Sequence, residues 1–359
     1  MARILYGVSG EGSGHATRSK EILYRLAKKH KVKVLAYGKS YDFLKDSFDV
    51  QKIYGLHLYY RDGGVDYLKT VLSNLRRLPT ELGPTKHAVH DLVRDFKPDL
   101  VISDFEPVSG IVAARHRLPL ISLDNQHIFT NCDVKYPRRF AKEALLNKLV
   151  IAAYLPRVSE TLITCFYHPK VKKPNTYLFP PILREKILRQ RPSKGDHILV
   201  YQTASGDDSI VKTLKDSGLK FVFYGCNKDL RDGNVLHKKF SEDGFIRDLA
   251  TCRFVIANGG LSLLCEALHL GKPVLSVPIA GQFEQIANAY YLNKLGYGKY
   301  YGELTAARIK SFAKNLPQYA ANLKDYPRAD CSAIIKKLEE LIEKYAKAGR
   351  KKSTPVSAK

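Results

Sequence analysis

Asn258-Gly-Gly-Leu-Ser-Leu-Leu-Cys-Glu266 runs on through Ala-Leu-His-Leu-Gly271-Lys-Pro273, an apolar segment Val274–Val277, and Glu284-Gln285-Ile-Ala-Asn288-Ala289. This stretch decides the fold. A glycine turn opens a helix, a carboxylate follows two turns later, a strand comes next, and a polar pair waits beyond that strand. Leu261, Leu264, Cys265 and Leu268 recur at helical spacing, so one face is buried. Gly271 and Pro273 end the helix. Gly259 and Gly260 let backbone approach a ligand closely. The free N–H groups and positive dipole of a helix start favour an anion such as a diphosphate. Glu266 lies off the apolar stripe, where a carboxylate can accept both hydroxyls of a ribose. Ligands of open parallel sheets bind beyond the carboxyl ends of the strands, and Glu284-Gln285 take that place. The layout suits a phosphorylated, hydroxyl-rich ligand. The plainer alternative is an αβ unit whose glycines serve turn geometry alone.

Outward from this stretch the same rhythm repeats. Arg3–Val8 reads as a strand, residues 9–14 as a glycine-rich loop, and a helix with Ile22, Leu23 and Leu26 follows. Further strands are expected at 32–37, 99–103 and 120–123. Phe179-Pro180-Pro181 marks a linker. The order then restarts with a strand at 197–202, a small-residue turn Thr203-Ala-Ser205-Gly206, and strands at 220–224 and 254–257. Alternating strands and helices predict an α/β fold with parallel sheets. The expected organisation is a Rossmann-like domain over 1–180, a second over 181–328 facing it across a cleft, an amphipathic terminal helix over 329–348, and a basic disordered tail over 349–359.

The 240–300 region resembles the donor-binding signature of nucleotide-sugar glycosyltransferases of the GT-B fold. It is similar to the UDP-glycosyltransferase family and to the N-acetylglucosaminyltransferase that makes peptidoglycan lipid II. The resemblance implies that Gly259 and Gly260 meet the diphosphate, Glu266 the ribose, and Glu284 with Gln285 the sugar hydroxyls. It implies donor contact by Ser205 and a uracil packed and hydrogen-bonded to backbone at Phe245-Ile246, a pair whose apolar character also suits the core. It also implies a terminal helix that packs back on the first domain. Asn258 departs from the pattern, since both families place a basic residue there to meet phosphate.

Gly10-Glu-Gly12-Ser-Gly14-His15 links the first strand to the first helix. It lacks the Lys-Ser/Thr of a P-loop. The third glycine of a dinucleotide fingerprint is replaced by His15, and the 32–37 strand does not end in an acid, so a nicotinamide dehydrogenase fits poorly. The loop resembles the glycine-rich loop of the lipid-II enzyme and the Gly-His turn of the UDP-glycosyltransferases, with Gly12 and Gly14 shaping it. That resemblance places His15 in the cleft as the base for an acceptor hydroxyl. Imidazole chemistry suits the task near neutrality; binding the acceptor or packing the turn are the alternatives. Asp104 is expected to orient His15, and Glu106 to orient it or touch acceptor. Asp124, Asn125 and Gln126 end the next strand and also belong to the cleft.

The 359 residues carry 59 Lys and Arg against 35 Asp and Glu, a formal charge of +24. Such a balance calls for an anionic partner or reflects a solvated surface. No recognition helix or RNP pattern appears, so no nucleic acid is expected. Residues 135–157 interleave Lys135, Arg138, Arg139, Lys142 and Lys148 with Leu145, Leu146, Leu149, Val150 and Ile151. That mixture suits an anionic membrane face or a core helix with snorkelling cations. No run approaches the ~18 apolar residues of a spanning helix. The six cysteines form no C-x-x-C pair, which indicates neither zinc nor a disulfide framework and fits a reducing cytoplasm.

The expectation is therefore an inverting hexosyltransferase that uses a UDP-sugar as co-substrate, with no cofactor or metal. It would work in the cytoplasm or at the inner face of the membrane, on a lipid-linked or envelope-glycan acceptor. The rival readings are a nucleotide-sugar 2-epimerase of the same fold, a non-catalytic nucleotide-sugar-binding protein, and a nucleic-acid-binding protein whose affinity would fall steeply with salt.

Overall fold

A computed structural model describes residues 1–55, 59–61, 64–65, 67–155, 157–202 and 208–353. Its strands are β1 (Arg3–Val8), β2 (Lys31–Ala36), β3 (Val50–Lys52), β4 (Tyr60–Arg61), β5 (Gly64–Val65), β6 (Leu100–Asp104), β7 (Leu120–Asp124), β8 (Glu160–Thr164), β9 (Thr176–Phe179), β10 (Ile198–Tyr201), β11 (Phe221–Tyr224), β12 (Leu230–Asp232), β13 (Val235–His237), β14 (Val255–Ala257), β15 (Val274–Ser276) and β16 (Gly298–Tyr300). They build two seven-stranded sheets, in the orders β3-β2-β1-β6-β7-β8-β9 and β12-β13-β11-β10-β14-β15-β16, beside the small β4-β5 ribbon. Within the large sheets every pairing is parallel except β12 with β13. Strands buried on both faces read as continuous apolar runs. Ile4, Leu5, Tyr6 and Val8 in β1 and Val255, Ile256 and Ala257 in β14 are all buried.

Both sheets wind outward in two directions from a central pair, β1–β6 in the first and β10–β14 in the second. A crevice opens at each reversal, beyond the carboxyl ends of the central strands. The 9–14 loop and Asp104 flank the first reversal. Asn258–Gly260 flanks the second.

Two connections join the halves. The first passes through Pro180–Ser193, where the buried ammonium of Lys272 donates to the Ser193 carbonyl (2.5 Å) and the Cys252 carbonyl (2.8 Å), pinning the linker to the second domain. The second is the terminal helix Ser332–Ser353. Its Ile334, Leu338, Leu341 and Ile342 join the core of the first sheet. Lys344 and Tyr345 reach Glu160 at 2.8 and 2.9 Å, and His30 meets Glu339 at 2.9 Å. The helix therefore returns to the first domain. It runs past 348 to Ser353, because Lys347, Arg350, Lys351 and Lys352 favour helix once a packed stretch precedes them. The last expected tail residues, 354–359, lie outside the described residues. The described cysteines form no disulfide, and all but Cys226 are buried.

Candidate active site

The 261–269 segment forms the helix Leu261–His269, capped at its start by Gly260 with no side-chain cap and no acid in the first turn. Among the described residues, this start therefore spends none of its leading N–H groups on a side-chain cap. Gly259 has φ 106, a conformation side chains rarely adopt. A Cβ there would sit 2.9 Å from the Gln285 carbonyl oxygen and 3.1 Å from Ser276 Oγ. Gly260 differs: it has an ordinary φ of −62 and nothing within 4 Å of an added Cβ. Only Gly259 is required by the turn, and Gly260 keeps the space above the helix start open. Gly259→Ala should destabilise the fold by about 1–3 kcal/mol. Gly260→Ala should cost about 1 kcal/mol or less, which urea unfolding of the two variants will compare.

Asn258 donates to the Val277 carbonyl (3.2 Å), and Asn288 donates to the Gly259 carbonyl (3.1 Å), so the loop is tied down from behind. Gln285 accepts from the Ile279 N–H (3.0 Å) and donates to Gln282. It braces the loop after β15. Glu266 is buried, and both its oxygens are gripped by a residue the sequence reading missed. Arg184, just past the linker prolines, donates through Nε (2.7 Å) and Nη2 (2.6 Å) to Glu266 and through Nη1 (3.1 Å) to Glu242. Each carboxylate oxygen has a second lone pair, so the arginine aims Glu266 while leaving it acceptor capacity.

Phe245 and Ile246 have their side chains in the core. They lie inside the helix Glu242–Thr251 and are 4% and 2% exposed. The Phe245 ring packs among Tyr201, Tyr224 and Phe240 at 5.2–5.7 Å. Helical spacing with Leu249 is the signal that marks Phe245 and Ile246 as core. Ser205, with the Thr203–Gly206 turn, lies outside the described residues.

Across the cleft, Gly12 (φ 81) caps the helix Ser13–Leu26, again without a side-chain cap. An added Cβ on Gly14 would meet Ser262 Oγ at 2.6 Å. The two bare helix starts therefore meet, one from each domain. Both present partial positive charge, which an anion between them would neutralise.

His15 sits in the first turn of its helix. Its Nδ1 lies 2.8 Å from Asp104 Oδ1, as expected from the sequence. The same carboxylate accepts from Ser19 Oγ (2.9 Å) and from Arg18, through Nε (2.8 Å) and Nη2. Burial opposes ionisation of Asp104, yet Arg18 and His15 hold it down at about 2. Arg18 was missed by the sequence reading, although its i+3 spacing from His15 puts both on one helix face. Phe105 follows Asp104 at φ 51 and stacks on Tyr154 with ring centroids 5.0 Å apart. A bulky side chain in this region of backbone space is strained, and such strain gathers at functional sites.

Glu106 corrects an expectation. It does not reach the cleft. The left-handed turn at Phe105 sends its carboxylate back to cap the helix Pro107–His116, accepting from Val108 N (2.7 Å) and Ser109 N (2.6 Å), and the residue is fully buried. Burial pushes it up to about 7 despite those two donors. Unfolded, it ionises near 4.5. Stability should therefore fall as pH rises from about 4.5 to 7, by about 3 kcal/mol at most, because only the unfolded chain sheds this proton freely there. Urea midpoints of Glu106→Gln should be flatter across that window than those of the parent.

At the end of β7, Asp124 accepts from His127 through both N (3.0 Å) and Nδ1 (2.7 Å) and from Ser122 Oγ. Asn125 and Gln126 reach the opposite domain: their amides donate to Glu284 at 3.2 and 3.1 Å. Asn125 Oδ1 accepts from Arg18 at 3.4 Å. His15, Asp104, Arg18, Asn125 and Glu284 form one continuous chain of contacts across the cleft. The sequence-expected base and the sequence-expected sugar carboxylate are its two ends.

The family model for glycosyl transferase family 1 matches residues 2–317. The chain belongs to that family. Among the relatives of this glycosyltransferase, a Methanosarcina mazei glycosyltransferase is 26% identical over 396 residues, covering 98% of this chain and 100% of its own. The Clostridium novyi UDP-N-acetylglucosamine–N-acetylmuramyl-(pentapeptide) pyrophosphoryl-undecaprenol N-acetylglucosamine transferase is 24% identical over 295 residues, covering 71% of this chain and 76% of its own. In fold, the chain is similar to Phytolacca americana UGT2, solved with UDP-2fluoro-glucose and pterostilbene. The TM-score is 0.68 at 15% identity, over 96% of this chain and 99% of that one. The glycosyltransferase thus has the GT-B architecture that its sequence resembles.

Proposed function

We propose that this glycosyltransferase moves a hexose or N-acetylhexosamine from a UDP-sugar to an acceptor hydroxyl with inversion and without a metal. The observation that carries the reading is the cross-cleft chain ending at His15 and Glu284, beside two uncapped helix starts. The diphosphate would lie against the amides after Gly260, the ribose against Glu266, and the sugar hydroxyls against Glu284. Gln285, tied to the loop, would support that wall. An acceptor O–H attacks the anomeric carbon from the face opposite the diphosphate. The new C–O bond forms as the old one breaks, its electron pair leaves on the diphosphate, and the proton passes to His15 Nε2. The transition state is oxocarbenium-like, and the helix dipole stabilises the departing charge. Asn258 supplies no charge to the phosphates; the cations bonded to the site carboxylates are the buried Arg18 and the partly buried Arg184.

The name of the Clostridium relative supports a UDP-sugar donor. Thermal-shift screening against nucleotide sugars tests the donor, and mass spectrometry of cell extract incubated with the stabilising sugar tests the acceptor. Turnover of UDP-N-acetylglucosamine with no acceptor, giving its 2-epimer, would favour an epimerase instead.

The helix Ala141–Tyr154 supports a membrane-borne acceptor, lipid-linked or an envelope-glycan precursor. Leu145, Leu146, Leu149 and Val150 are 59%, 41%, 58% and 45% exposed. Lys142 on the same helix and Arg138 and Arg139 just before it are exposed as well. Apolar and cationic groups on one surface suit an anionic bilayer. No described helix is long and apolar enough to cross a membrane. Co-sedimentation should be strong with phosphatidylglycerol vesicles and weak with phosphatidylcholine; Leu145→Glu with Leu149→Glu should abolish it. Equal binding to both lipids would defeat this reading.

A further inference from the structure

His15 Nδ1 has two neighbours of opposite sign. Asp104 Oδ1 lies 2.8 Å away and Arg18 Nη2 lies 2.9 Å away. A proton on Nδ1 donates to the carboxylate and leaves Nε2 with a free lone pair. A proton on Nε2 leaves Nδ1 to accept from the arginine, and the ring can then take no proton from an acceptor. The choice between the two neighbours decides whether His15 works as a base.

Arg18 is 6% exposed. Its Nε and Nη2 donate to Oδ2 and Oδ1 of Asp104, one hydrogen to each oxygen. This two-pronged grip fixes the plane of the carboxylate as a single bond cannot. Ser19 Oγ takes the remaining direction on Oδ2. What remains of Oδ1 faces Nδ1. Nη1 meanwhile reaches Asn125, whose amide nitrogen holds Glu284.

We propose that Arg18 is a positioning residue for glycosyl transfer: its fork aims Asp104 at His15 Nδ1 and so fixes the base-competent tautomer. The inference rests on His15 being the base. It adds a residue that does not touch the reacting atoms. The spacing matters as well as the charge. A lysine at 18 supplies one ammonium without a fork, and a methionine supplies neither.

The test uses the full chain labelled with 15N-histidine. Two-bond 15N–1H correlation spectra report the tautomer of each ring, and the His15 signals are those lost in His15→Gln. The parent should show the proton on Nδ1. Arg18→Lys and Arg18→Met should show a mixture of tautomers. UDP release from UDP-N-acetylglucosamine, with water as acceptor, should fall about 10²-fold in kcat, with the dissociation constant for the nucleotide sugar unchanged. If Arg18→Met fails to fold, Arg18→Lys keeps the buried charge and carries the test. A parent His15 protonated on Nε2 overturns the proposal. So do unchanged His15 signals in Arg18→Lys, or affinity that falls in step with rate. If the tautomer shifts as stated while His15→Ala keeps full activity, Arg18 still sets the His15 tautomer but its role in glycosyl transfer falls with the base assignment.

Discussion

Sugar transfer by the His15→Ala variant is expected to be slower by about 10²–10⁴-fold, the usual contribution of a general base, with donor affinity unchanged. The separation follows from where the residue stands. In the proposed arrangement His15 belongs to the first domain and the donor loop to the second, so removing the imidazole should leave the expected diphosphate and ribose contacts at Gly260 and Glu266 in place. The ring is 12% exposed and its partner Asp104 is fully buried; solvent reaches the histidine but not the carboxylate. Initial rates of UDP release and a direct titration of the nucleotide sugar measure the two quantities separately. Unchanged rates would remove His15 from the chemistry. A matching loss of affinity would make it a phosphate contact instead.

The second large effect belongs to Glu266. Glu266→Ala should weaken donor binding by about 10–150-fold, the equivalent of losing one charge-assisted hydrogen-bond partner worth about 1.5–3 kcal/mol. It should also destabilise the protein. Arg184 is 11% exposed and would lose two of its three described carboxylate bonds. Removing one partner of a buried pair costs about 3–5 kcal/mol, and the lower figure applies here because Glu242 remains. Glu266→Gln separates the effects: it keeps one acceptor oxygen for the ribose and loses the bidentate grip. Calorimetric titration with UDP and urea unfolding provide both readouts. Full UDP affinity in Glu266→Ala would remove the ribose role.

The fold was legible because its signals are local. Strand, glycine turn and helix recur at 3–26 and again at 255–269, and each repeat is spelled out within one short run. His15 and Asp104 were legible for a related reason: each ends or follows a central strand, where this topology gathers ligand-facing residues. What stayed hidden depends on distance along the chain. Arg184 meets Glu266 across 82 residues, and Asn125 meets Glu284 across 159. No period or motif records such pairings. Glu106 was misplaced for a subtler reason. The left-handed backbone of Phe105, a bulky residue where glycine is usual, turned it from the cleft to a helix cap. Phe245 was placed by resemblance at a base-binding position, although its own spacing with Leu249 already marked it as core.

The return of the Ser332–Ser353 helix to the first sheet has a mechanical consequence. The polypeptide crosses between the two lobes twice, so they are pinned at two points rather than one. Two pins define an axle. Sliding and free tumbling would be restrained by both crossings, and any swing about the line through them would also have to part the Phe129–Phe283 and Tyr167–Tyr291 ring contacts between the lobes. Each opening would carry Asn125 away from Glu284 along an arc, and each closing would return it to the same place.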